Sequence, residues 1–186
     1  MPVLSARARH RPARGFTLIE LAIVLAIVAI LLRVATPGLS RTLAARALAA
    51  QSSQFMAALR FARASALQRG LAVTVCASAS DGPALACQGP RAADWRGGWL
   101  VFVDRERRGV PDASAPLLRI QQALQHSGGV AGTRGRISFT AGGFSTDGSS
   151  HFLFSPPAGV ADAPPAVMVC VSKQGRPRLA GTGACD

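Results

Sequence analysis

The sequence predicts an α+β protein in which one long N-terminal helix, its first half suited to a bilayer, packs by its second half on an antiparallel, β-rich head. Three observations carry that expectation. Residues 16–32 (FTLIELAIVLAIVAILL) form an apolar run broken only by Glu20. Residues 36–68 are rich in Ala, Leu, Arg and Gln, with apolar side chains at helical spacing. After Gly70 the texture changes to short β-like runs separated by Gly, Pro, Asp and Ser. At 186 residues, 49% hydrophobic and 16% charged, the chain suits one domain with an appendage and excludes a disordered chain.

The N-terminal run comes first. Seventeen residues at about 1.5 Å each reach roughly 25 Å, the lower limit for crossing a hydrocarbon core. Before it stand Arg7, Arg9, Arg11 and Arg14 with no acid, a bias that keeps the N-terminal side cytoplasmic and sends the rest across. A secretory signal peptide shares the basic start and the apolar stretch. Its apolar region is usually shorter, however, and Arg33-Val34-Ala35 is a poor exit for a signal peptidase. Glu20 argues further against it, and against a plain anchor. A carboxylate inside the run costs about 2.5–3.5 kcal/mol on insertion scales and therefore needs a partner.

Gly15-Phe16-Thr17-Leu18-Ile19-Glu20 followed by an apolar helix resembles the type IV prepilin signature. The resemblance implies a prepilin peptidase that cuts between Gly15 and Phe16 and methylates the new amine of Phe16. It also implies an assembly role for Glu20, whose carboxylate neutralises the N-terminal amine of a neighbouring subunit. That role supplies the partner which the bilayer argument requires.

Farther along, Leu48, Phe55, Leu59, Ala62 and Ala66 fall on one helical face, and Gly70 is a C-cap. Pro37-Gly38 is expected to kink or locally melt the helix. A helix over 16–69 would extend about 80 Å, too long for burial in so small a head, so its first half must lie in lipid or against sister stems. Strands are expected at 71–77, 99–103, 117–122, 136–140, 151–155 and 167–172, with short connections that indicate a meander-like sheet. The segments 61–70 (FARASALQRG), 73–76 (VTVC) and 94–104 (DWRGGWLVFVD) resemble the GspH/FimT family of minor pilins and pseudopilins. The expected organisation is a leader at 1–15, a membrane and assembly half-stem at 16–35, an extracytoplasmic half-stem at 36–69 and a head at 70–186. Trp95 and Trp99 are assigned to the core.

Four cysteines allow three connectivities. Neither the Cys76/Cys87 nor the Cys170/Cys185 spacing is that of a redox or zinc motif, and a head outside the cytoplasm favours the local disulfides Cys76–Cys87 and Cys170–Cys185. No catalytic constellation, metal set or cofactor motif stands out. His10, His126 and His151 are scattered, and the stretch 104–112 (DRERRGVPD) reads as a solvated loop because its arginines are poor neighbours for calcium. The chain is therefore expected not to be an enzyme.

The formal net charge is +12, and removing the four leader arginines leaves +8, which favours polyanions. Lys173-Gln174-Gly175-Arg176-Pro177-Arg178 sharpens this. Gly175 permits a turn, Pro177 restricts the segment to an edge or loop, and in an extended stretch Arg176 and Arg178 face the same way, about 7 Å apart. Gly175-Arg176-Pro177-Arg178 is similar to the GRxR motif associated, in the FimT branch, with DNA binding during natural transformation. Lys173, Arg176 and Arg178, with Arg134 or Arg136 in addition, would give roughly four phosphate contacts and a salt slope near −3.6. The expected partners are thus prepilin peptidase, other pilins or pseudopilins, the bacterial inner membrane and DNA. The alternative within the family is a type II secretion pseudopilin H for export of folded proteins. A membrane-tethered extracytoplasmic enzyme is the alternative of another class, disfavoured by the missing catalytic set.

Overall fold

A computed structural model of the chain describes residues 17–79, 86–111, 116–123, 128–181 and 185. The chain divides into two units, 1–38 and 39–186. A single helix assignment, α1 (Leu18–Arg69), enters both. In the first unit every described side chain is exposed from Thr17 to Arg33, and Leu18 reaches 86%. This stretch is long and apolar enough to cross a membrane. The helical assignment continues through Pro37 and Gly38, so the expected local melting does not occur.

In the second unit α1 supplies the middle of the core. Leu48, Phe55, Leu59, Ala62 and Ala66 are all buried, as their spacing predicts. Phe55 is the hub. The rings of Trp95, Trp99 and Phe152 meet it edge-on at centroid distances of 5.4, 5.0 and 4.7 Å, the geometry that aromatic quadrupoles favour. Gly70 ends the helix at φ +65°, donating its N–H to the Ala66 carbonyl at 3.0 Å, the left-handed cap that glycine adopts without a Cβ penalty.

Eight strands follow: β1 (Val73–Ala77), β2 (Trp99–Val103), β3 (Leu117–Gln121), β4 (Gly129–Gly132), β5 (Arg136–Phe139), β6 (Ser150–Ser155), β7 (Val167–Val171) and β8 (Pro177–Gly181). They form two four-stranded sheets, ordered β3-β2-β1-β5 and β4-β6-β7-β8, with antiparallel pairing throughout. The expected meander is thus half correct. β1-β2-β3 and β6-β7-β8 are meanders, but β4 joins the second sheet before β5 returns to the first. β1 and β2 are buried along their whole length. One face meets α1, and the other holds a small cluster of Cys76, Leu100 and Phe102 with Cys87 against it.

Candidate functional site

Two regions bear the residues singled out by sequence, beginning with the start of α1. Gly15 and Phe16 lie outside the described residues. Thr17 precedes the helix; its Oγ1 accepts the Glu20 N–H at 3.3 Å and its carbonyl accepts the Leu21 N–H at 3.1 Å. Thr17 is therefore the N-cap and satisfies a donor that would otherwise be orphaned in the first turn. The Thr-x-x-Glu spacing of a capping box was available in the sequence as a signal for this role, which the sequence reading missed. Glu20 is exposed in the first turn, at the end of the helix dipole that favours negative charge.

The second region is the connection from β7 to β8. Ser172 donates its N–H to the Arg176 carbonyl at 3.2 Å, and Gly175 donates to the Ser172 carbonyl at 2.8 Å. The Arg176 N–H reaches Ser172 Oγ at 3.4 Å. Gly175 is buried at φ +71°, and a Cβ there would strike the Gly143 carbonyl oxygen. That same oxygen accepts Arg63 Nε from α1 at 3.0 Å, while Ser145 N–H donates to the Lys173 carbonyl at 3.1 Å. The basic turn is thus pressed, backbone to backbone, onto a second turn that the helix holds. Lys173 and Arg176 are exposed on this turn, and Arg178 is exposed on the strand that follows it.

The single extended segment expected for Arg176 and Arg178 is divided here. Arg176 belongs to the turn, whereas Arg178 lies in β8 opposite Cys170. Pro177 opens β8, which pairs only with β7 and forms the sheet edge, where proline's missing donor costs no ladder bond. Arg134 and Arg136 are not gathered with them. Phe139, at one end of β5, meets Gly175. Arg136 stands at the other end, about 10 Å away by strand rise, where it donates to the Arg108 carbonyl at 2.9 Å. Arg134 is exposed beyond it, its carbonyl accepting Trp95 Nε1 at 2.8 Å.

The loop expected to be solvated has a buried anchor. Asp104 accepts Thr74 Oγ1 at 2.9 Å and the N–H groups of Arg108 and Gly109 at 2.9 and 2.8 Å, while Arg105 to Arg108 stay exposed. An exposed ion pair joins Arg96 to Asp94 at 2.8 Å. The hydrogen bond from the Arg96 side chain holds the Asp94 carboxyl below its ordinary value. Among the described residues no three His, Cys, Asp or Glu side chains gather as metal ligands. Cys76 pairs with Cys87 and Cys170 with Cys185.

Residues 51–175 match the family model of type II transport protein GspH, and residues 10–32 match the prokaryotic N-terminal methylation motif. Two crystal structures of the type IV minor pilin FimU of Pseudomonas aeruginosa (strain PAO1) share the fold. One superposes with TM-score 0.56 at 20% identity, covering 75% of this chain and 92% of that one. The other gives 0.52 at 19% identity, with 75% and 97% covered. No curated protein sequence matches the chain. A family match over most of the head and the last third of the stem helix, a methylation motif at the helix start and a pilin fold converge: the chain belongs to the GspH/FimT family of minor pilins and pseudopilins, structural subunits rather than enzymes.

Proposed function

We propose that this chain is a minor subunit of a type IV pilus-like filament whose head holds DNA by its phosphates through Lys173, Arg176 and Arg178. Prepilin peptidase cuts between Gly15 and Phe16, and the mature stem stays in the inner membrane with the head on the periplasmic side until assembly. Glu20 then pairs with the methylated amine of Phe16 on an adjoining subunit. The observation that carries the DNA reading is the basic turn and the strand it opens: Lys173 and Arg176 exposed on a turn fixed by the Gly175–Gly143 contact and by Arg63, with Arg178 exposed two residues on in β8. Such a turn fixes the backbone from which its charges extend. Guanidinium forks match phosphate oxygens, and contacts of this kind carry no base sequence.

Three phosphate contacts give a slope of log affinity against log salt near −2.7, shallower than four contacts would. In the full chain purified in detergent, Arg176→Gln with Arg178→Gln is expected to flatten that slope by about 1.8 and to abolish retention of DNA at physiological salt. Circular dichroism checks that the head is still folded. Unchanged binding by the double variant removes the assignment.

A second reading is favoured by the description of the matching family model, which names a type II transport protein. In it the chain is a pseudopilin that helps build a pseudopilus for export of folded proteins. Deletion of the gene separates the two: loss of transformation supports the first, and loss of exoprotein secretion the second.

A further inference from the structure

We infer that Phe144 is a base-stacking platform, so that the basic turn takes single-stranded DNA, or the frayed end of a duplex, in preference to intact duplex. This rests on the DNA reading above and adds a ligand class to it. Of the phenylalanines among the described residues, Phe55, Phe102, Phe139, Phe152 and Phe154 are fully buried and Phe61 partly so. Phe144 is 57% exposed.

Its backbone is held on both sides. Phe144 N–H donates to Thr140 Oγ1 at 3.2 Å, its carbonyl accepts the Thr140 N–H at 2.9 Å, and Gly143 donates to the Thr140 carbonyl at 2.8 Å. The ring leans over Gly142, where an added Cβ would come within 3.2 Å of ring carbon Cδ2. Each chain neighbour of Phe144 touches the basic turn: the Gly143 carbonyl lies under Gly175, and Ser145 N–H bonds to the Lys173 carbonyl. An exposed aromatic thus stands one residue from both points that seat Lys173 and Arg176.

Cations that follow a backbone, with an aromatic face beside them, are the arrangement by which single strands are held without sequence preference. A duplex satisfies the cations but leaves the ring idle, because its bases are already stacked on one another. A single strand offers a free π-face. Leu67, 51% exposed and also against Gly143, widens the apolar floor.

The test uses the full chain in detergent with a labelled 12-nucleotide oligo-dT strand and a 12-base-pair duplex, read by fluorescence anisotropy. The parent is expected to bind the single strand more tightly. Phe144→Ala should weaken single-strand binding about tenfold and duplex binding less than twofold. Phe144→Trp should restore single-strand affinity, and the oligonucleotide should quench its emission. Equal weakening of both ligands, or undiminished single-strand binding by Phe144→Ala, overturns the inference. If the parent binds DNA in an Arg176- and Arg178-dependent way but ignores Phe144, only this inference falls. If it binds neither probe, the DNA reading falls with it.

Discussion

Asp104 shows how much one side chain organises. Its neighbours Arg105 to Arg108 make the segment look like open solvent-facing loop, yet its own carboxylate is 4% exposed and receives three donors. Two of these are backbone N–H groups of the turn that holds Arg107 at φ 56°, a conformation unfavourable for a residue with a side chain. The carboxylate thus offsets the strain of the turn it sits beneath, and it ties that turn to β1 through Thr74. Asp104→Ala should lower stability by about 2–4 kcal/mol, since it orphans buried donors as well as losing their bonds. Urea denaturation of the full chain in mild detergent measures this. Asp94 is the contrasting case. Its ion pair with Arg96 is exposed on both sides, and a solvated pair of that kind contributes little.

At the scale of elements, what the sequence made legible depended on whether burial wrote a pattern. The helical face of Leu48, Phe55, Leu59, Ala62 and Ala66 and six of the strands follow from apolar spacing alone. β4 and β8 do not. β4 is Gly-Val-Ala-Gly, nearly without side chains to alternate, and β8 opens on a proline and carries Arg178. Both are outer strands of the second sheet, recruited by pairing with β6 and β7 rather than by their own composition. The basic turn was legible in residue type and in its edge location, but not in what supports it. No spacing rule links Gly175 to Gly143 or to Arg63. That support is testable: Gly175→Ala combines a positive φ with a collision against the Gly143 carbonyl, whereas Gly148→Ala, at φ +77° with nothing within 4 Å, meets only the backbone penalty. The Gly148 variant should lose about 1–2 kcal/mol. The Gly175 variant should lose more, and DNA binding with it, as urea curves and anisotropy on the same preparations will show.

For the molecule as a whole, the two disulfides close loops of similar size, with sequence separations of 11 and 15. Chain entropy alone makes each worth about 3 kcal/mol, with the longer loop slightly ahead. Packing reverses the order. Cys76 and Cys87 also cover Leu100 and Phe102 on the far face of β1 and β2, so replacing that pair by serines opens a small core to water. The Cys76→Ser/Cys87→Ser chain should be less stable than the Cys170→Ser/Cys185→Ser chain, by thermal unfolding under identical conditions. The exchange of β4 and β5 between sheets has a kinetic meaning too. Thr74 of β1 meets Ser138 of β5 64 positions along, while β4, which precedes β5 in the chain, pairs with β6 in the other sheet. Pairings of such sequence separation slow folding, and until β5 arrives the outer flank of β1 is an open ribbon edge.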